Sequence, residues 1–315
     1  MALAAMSSYL LWKNLTPPAT VANKLSRTSD IHLYHSMREV PNVPKGLFNY
    51  GGAAAFAAMT AHGMHTAIAN SHPQFQLRYT EPLNARPGSI TGIKMFLDGE
   101  LSFAQNGRPL QDEEYSKAKS RGFTLEQIPV AIDGIVFFTH RDLPVTQLSI
   151  NQLQDIFRGK IINWKQVGGP NLPIVLISQD PKVSAMLKLL LGDPVKELSP
   201  NARIARDNST AIRSVAAAPG GISYSSASIA IGQESIHSLS LAKPYSKEYI
   251  PPFTQQGRVN LDAIRKGTYP LTRHLFIVIR RDGTPDEQAG VAYSNLLLSD
   301  EGQKIVEEAG FVPLR

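Results

Sequence analysis

From Phe48 onward the chain alternates short apolar runs with helical stretches, joined by turns rich in glycine and proline. This alternation limits the fold more than any other feature, because strands and helices taken in turn build an α/β domain around a largely parallel sheet. No internal repeat is visible, which sets aside solenoids and propellers. At 315 residues the chain is about twice the usual single-domain length, so two lobes or one large unit are expected.

The local signals predict a first helix over residues 53–70, directly after Gly51 and Gly52, and a strand through Phe75, Leu77 and Tyr79. A turn at Pro87 and Gly88 puts Ser89 at the N-cap of a helix over 90–97, followed by a strand at 101–104 and a charged helix at 111–120. Residues 128–138 form a long apolar run broken only by Asp133 and Gly134, as a buried strand or a crossover between lobes would. Ser149 and Gln152 form a capping box for a helix over 150–158, with a strand next at 174–177 and a helix at 183–191. Asn208, Ser209 and Thr210 are the N-cap candidates for a helix over 211–218, and a strand returns at 222–224. A strand at 275–279 precedes two closing helices, one from Pro285 to Leu298 and one capped by Ser299 and ended by Gly310.

Several function classes fall away. The chain has no cysteine, so disulfides, thiolate metal sites and catalytic thiols are excluded. The net charge of +6 is thinly spread, with no basic block and no aromatic interleaving, which argues against nucleic acid as a partner. No nucleophile elbow or phosphate-loop sequence is present, and Asp112, Glu113 and Glu114 read as a solvated helix start, so no enzyme activity is expected. His62 and His65 stand three apart, but no nearby carboxylate completes a metal shell, and neither a metal nor another cofactor is expected. Residues 2–12 are apolar apart from Ser7 and Ser8, which fits the end of an anchor or export signal or a short packed segment. The proline-bearing stretch after them reads as a tether.

Glycine turns that open helices recur at Gly51–Ala53, Gly88–Thr91 and before Ala211. Helix starts offer free N–H groups and a partial positive charge, so several converging on one cleft would bind an anion. Glycine turns before helices are also ordinary in α/β proteins, and the local pattern leaves both readings open.

Residues 46–315 resemble the phosphate-binding periplasmic proteins of ABC importers, the PstS-like branch of the type II solute-binding fold, and in particular its cyanobacterial members. The stretch LSINQLQDIFRGKIINWKQVGGPNLPI at 148–174 carries the resemblance most specifically, with IPVAIDGIVFF, APGGISY and LLLSDEGQKIVEEAGFVPL following the same order. The resemblance implies an α/β, two-lobed periplasmic-binding-protein type II fold with mixed sheets flanked by helices and a cleft between the lobes. After an N-terminal apolar segment and tether at 1–45, lobe 1 would take 46–135 and lobe 2 136–270, and 271–315 would cross back to complete lobe 1. It also implies a periplasmic or extracytoplasmic monomer, tethered to the membrane if the N-terminal segment is an anchor. Such a protein would deliver phosphate or a related oxyanion to an ABC permease. A scaffold that keeps the two lobes for sensing or protein interaction after losing phosphate is the alternative.

Carried over by position, the family's first anion loop falls on Gly52, Ala53, Ala54 and Ala55, without its hydroxyls, and the second on Gly88, Ser89, Ile90, Thr91 and Gly92. The position that holds Asp or Ser in the family falls on Asn106 or Gly107, ahead of Arg108. The Arg and Gly-Ser-Gly-Thr turn of the second lobe falls on Gln179, Asp180, Lys182 and Ser184, without the arginine or the glycines. The expected ligand-binding set is therefore Gly52, Ala53, Ala54, Ser89, Thr91, Gly92, Arg108, Gln179, Asp180 and Ser184. Arg108, Lys182 and Arg213 are the candidates to restore positive charge. Trp164 is expected to anchor packing rather than stack on a ligand.

Overall fold

The computed structural model describes residues 31–182, 184–192 and 197–315. The apolar run at 2–12, most of the expected tether and the expected helix start at Val183 lie outside the described residues. From Tyr34 the chain belongs to one compact unit. Residues 34–40 do not hang free as a tether: Met37 and Val40 are buried, Met37 N–H donates to Glu301, and the Tyr34 and His35 carbonyls accept from Asp300 and Glu301 N–H.

Strand β1 (Gly46–Gly52) leads through a 3-10 turn at Ala54–Phe56 into helices α1 (Ala57–Ala61) and α2 (Met64–Ser71). The single helix expected over 53–70 is thus broken at Gly63, whose φ of 90° lies in the left-handed region that glycine adopts without steric cost. Strand β2 (Phe75–Tyr79), α3 (Ser89–Leu97), β3 (Phe103–Asn106) and α4 (Asp112–Ser120) follow. Next come β4 (Thr124–His140), β5 (Gln147–Ser149), α5 (Ile150–Phe157), β6 (Val175–Ser178) and α6 (Ala185–Leu191). The chain continues through β7 (Arg203–Ile204), α7 (Asn208–Ala216), β8 (Gly221–Ser226), α8 (Ala227–Ala230) and β9 (Ile236–Ser238). It closes with β10 (Ser240–Ala242), β11 (Tyr249–Ile250), α9 (Leu261–Arg265), β12 (Thr272–Arg281), α10 (Pro285–Leu298) and α11 (Asp300–Glu308).

The main sheet runs β2-β1-β3-β12-β4-β8-β6-β7, with β9 also on β4, and β11-β10-β5 form a separate small sheet. The outer pairs β1/β2, β1/β3, β6/β7 and β6/β8 are parallel, as crossover helices require. The central pairs β3/β12, β12/β4 and β4/β8 are antiparallel, so the sheet is mixed rather than largely parallel. The departure comes from β4 and β12, two long strands running opposite ways through the middle of the molecule.

β4 explains why one 17-residue strand serves two halves. Its residues up to Gly134 pair with β12, and from Ile135 onward it pairs with β8 and β9. Apolar packing divides at the same point. One buried cluster draws on residues between Ile135 and Leu271 plus Val312, and another on residues between Ile93 and Phe123 plus Val278. Trp164 is fully buried in the first of these clusters and its indole N–H donates to the Gly220 carbonyl at 3.0 Å, a packing anchor as expected. Among the described residues no helix is long and apolar enough to cross a membrane.

Candidate functional site

A cavity of about 180 Å3 opens where the two halves face each other, lined from one side by Ala53–Ala55 and 86–89 and from the other by Gln179, Asp180, Ser184 and 206–208. Ser226 and Arg273 form part of its lining as well. At roughly 30 Å3 per water, it has room for a small oxyanion and a few waters, and falls below the ~300 Å3 at which pockets for larger organic ligands begin.

The first wall is built by close backbone packing. Gly52 has φ 122°, and a Cβ there would lie 2.1 Å from the Gln105 carbonyl oxygen; a Cβ on Gly92 would lie 2.4 Å from Gly52 Cα. Two bare glycines let α3 press against the end of β1. Gly52 and Gly92 thus shape the wall from behind and do not line the cavity. Ala53 N–H is spent on the Gln105 carbonyl at 2.8 Å. The N–H groups of Ala54 and Ala55 precede the first hydrogen bond of the 3-10 turn and have no acceptor within it.

Helix α3 begins one residue earlier than the sequence suggests. Gly88 occupies the N-cap, and Ser89, expected there, is the first helical residue. Ser89 Oγ instead accepts from Gly107 N–H at 3.0 Å, tying α3 to the loop after β3. No side chain caps α3, so its first-turn amides remain without an intrahelical partner. Thr91 is turned away: its hydroxyl donates to the Arg86 carbonyl at 2.7 Å and steadies the 86–88 turn.

Arg108 stands apart from the cavity. Its guanidinium forks onto Glu114 at 2.9 and 2.5 Å, and both side chains are largely buried, so its charge is already neutralised. Lys182 and Arg213 are exposed and line no part of the cavity. The arginines that line it are Arg86, Arg206 and Arg273, none of which the sequence singled out. Arg86 is tied across the gap by a 3.0 Å bond to the Ala205 carbonyl, and Arg206, 78% exposed, pairs with Asp207 at 3.0 Å.

The second wall is a self-satisfied network. Ser184 Oγ caps α6 by accepting from Leu187 N–H at 3.2 Å, and it also meets Gln179 Oε1 at 3.1 Å and the Tyr224 hydroxyl at 2.9 Å. Gln179 Nε2 donates to Asn208 Oδ1 at 2.8 Å, and Asp180 Oδ1 accepts from Lys182 N–H at 2.9 Å. Helix α7 is capped by Asp207, not by Asn208, Ser209 or Thr210: its carboxylate accepts from Thr210 N–H at 2.7 Å. That bond, with Arg206 beside it, holds the Asp207 carboxyl at about 2. A built-in carboxylate thus occupies the helix start where a bound anion would otherwise be held.

Behind the cavity, Asp133 on β4 faces Arg273 on β12 in direct register. Asp133 Oδ2 receives both Nε and Nη2 of Arg273 at 2.9 Å, and Oδ1 accepts from the Ser226 hydroxyl at 2.6 Å. Burial pushes the Asp133 carboxyl up, while Arg273, Ser226 and Ala227 N–H pull against it. This pair explains the break at Asp133 in the apolar run: the charge is buried together with its partner. Away from the cavity, His62 Nδ1 bonds the Ala58 carbonyl and His65 Nδ1 meets the Tyr50 hydroxyl at 3.3 Å, so the two imidazoles serve separate local contacts.

A model of the PBP superfamily domain matches residues 48–301. The chain belongs to the PBP superfamily. Among curated PBP relatives, the phosphate-binding protein PstS of Staphylococcus epidermidis is 25% identical over 233 residues, covering 73% of this chain and 69% of its own. Protein SphX of Synechococcus elongatus is 26% identical over 291 residues, covering 86% and 82%. A putative phosphate ABC transporter substrate-binding protein from Clostridium perfringens, solved with bound phosphate, superposes with a TM-score of 0.70 at 23% identity, over 86% of this chain and all of that one. The likeness establishes the two-lobed α/β fold of this PBP domain.

Of the residues expected from the sequence, Ala53, Ala54, Ser89, Gln179, Asp180 and Ser184 meet around the PBP cleft, whereas Gly52, Thr91, Gly92 and Arg108 stand outside its lining. Arg86 and Arg206 flank helix starts, a position from which the sequence offered a weak clue. Arg273 offered none, because only the β12/β4 register brings it to the cleft.

Proposed function

We propose that this PBP domain is an extracytoplasmic solute-binding protein that holds phosphate or a related oxyanion between its halves and delivers it to an ABC permease. The observation that carries the reading is the convergence of uncapped backbone donors at Ala54 and Ser89 with Arg273 on a cavity sized for a small oxyanion. Such donors stabilise negative charge without reorganising, and they survive loss of the loop hydroxyls because they belong to the backbone. Relatives that bear phosphate-binding names support the choice of anion. The lobes are taken to meet at Asp133–Gly134 and again where β12 begins, with closure by hinge motion. No catalytic role is assigned to any cleft residue.

The two carboxylates of the cavity, Asp180 and Asp207, set a limit on charge and favour an anion that carries a proton to share. Titration with phosphate by calorimetry at low ionic strength is expected to give saturable heat with one site per chain. Heat that never saturates, with phosphate and with arsenate alike, overturns the reading and leaves a scaffold for sensing or protein interaction.

A further inference from the structure

We propose that Arg273, on the strand that returns between the two halves, is the cationic anchor of the cleft and stands in for the arginine that the 179–184 loop lacks. The inference rests on the phosphate reading above and names the residue that does the holding.

Arg273 is the cleft arginine whose geometry is prepared in advance. Its side chain is 10% exposed, against 78% for Arg206. Nε and Nη2 are both taken by Asp133 Oδ2, and Asp133 is itself fixed by the Ser226 hydroxyl and Ala227 N–H. These bonds lock the plane of the guanidinium and leave Nη1 with no protein acceptor among the described residues. Arg86 and Arg206, by contrast, are engaged with the Ala205 carbonyl and with Asp207.

Nη1 lies at the corner where α3 begins. A Cβ on Gly107 would be 2.9 Å from Arg273 Nη1 and 3.5 Å from Ser89 Oγ, so the absence of a side chain at Gly107 keeps that corner open. Because Ser89 Oγ accepts from Gly107 N–H, its own hydroxyl proton is left to donate. Arg273 Nη1 and the Ser89 hydroxyl therefore lie within 3.5 Å of one point, beside the uncapped start of α3, and together these donors can hold a tetrahedral oxyanion. Asp133 reduces the net charge but lies on the far side of the guanidinium, and Coulomb attraction falls with distance, so an anion at Nη1 feels the cation more strongly.

The geometry also gives Arg273 a role that a loop arginine would not have. It sits on β12, paired with β4 at the point where β4 passes from one half to the other. An anion bound there is anchored to the hinge, and closure adds the second wall around it.

The test is calorimetric titration with inorganic phosphate of the unmodified chain, of Arg273→Gln, and of the double variant Asp133→Asn with Arg273→Gln. The double variant replaces a buried ion pair by a neutral amide pair of similar size, which avoids stranding a charge. The expected result is phosphate affinity about 100-fold weaker in both variants, the loss of one charge-assisted interaction, with circular dichroism and melting showing the double variant folded. If the glutamine variants fail to fold, Arg273→Lys is titrated instead, with an expected loss of about tenfold because a point charge cannot hold Asp133 and the anion together. Affinity within threefold of the unmodified chain in the double variant, or in Arg273→Lys, overturns this inference alone. Silence of the unmodified chain toward phosphate overturns both this inference and the reading it rests on.

Discussion

His65 shows how a single residue reports on burial. It packs edge-on against Tyr50 with ring centroids 5.2 Å apart and lies near Tyr293, and its Nε2 is buried without a hydrogen-bond partner. Burial lowers its pKa below the ordinary imidazole range, so the folded state binds the proton less well than the unfolded chain. The stability contributed by neutral His65 is fully present above about pH 6.5, the unfolded value, and is lost as the pH falls through the lower folded one. Denaturant unfolding between pH 8 and 5 is expected to show stability declining toward acid, and His65→Phe is expected to flatten part of that decline; an unchanged slope would remove His65 as its source. His274, also lowered by burial, contributes in the same direction. At this scale the sequence was a poor guide to the site, since Arg108 looked available until its pairing with Glu114 was seen.

Helix α5 was legible almost to the residue because its signals are local. Ser149 Oγ accepts from Gln152 N–H at 3.3 Å and Gln152 Oε1 accepts from Ser149 N–H at 2.9 Å, the reciprocal bonds of a capping box. Ser149→Ala is expected to cost about 1 kcal/mol in chemical denaturation, with little effect on phosphate binding because α5 lies outside the cleft lining. Helix α7 was less legible. Asn208, Ser209 and Thr210 are all good N-cap residues by type, but the cap is Asp207, itself a strong N-cap residue, and the three fall in the first turn. Helices α1 and α2 were read as one because a glycine inside an alanine-rich stretch is compatible with either a continuous helix or a break, and the left-handed backbone at Gly63 makes the break.

At the scale of the whole molecule, a hydrogen bond from Arg86 Nη1 to the Ala205 carbonyl links the two sides of the cleft. A bond of this kind contributes about 1 kcal/mol, enough to shift an open-to-closed ratio about fivefold. Arg86→Ala is therefore expected to increase the radius of gyration of the phosphate-free chain in small-angle scattering, and saturating phosphate should return it toward the unmodified value. Identical scattering curves for the two chains would show that this contact does not bias closure. The long central strand β4 was visible in outline as the apolar run at 128–138, since a strand buried on both faces shows an almost unbroken apolar pattern. The polar interruption at Asp133 marked the place but not the partner.

The amino-acid sequence by itself determined the α/β class, most of the helix starts, the burial of Trp164 and the glycine turns at which backbone donors are displayed. Each depends on interactions a few residues apart, or on periodicity within one element. Tertiary structure alone decided which charges reach the cleft. Arg273 stands 140 positions from Asp133 and meets it only because β4 and β12 run antiparallel in one register. Arg108 was withdrawn by Glu114, six positions away but brought close only through the first turn of α4. Charge at a site depends on partners as much as on residue type, and partners remote in sequence are chosen by strand register and packing.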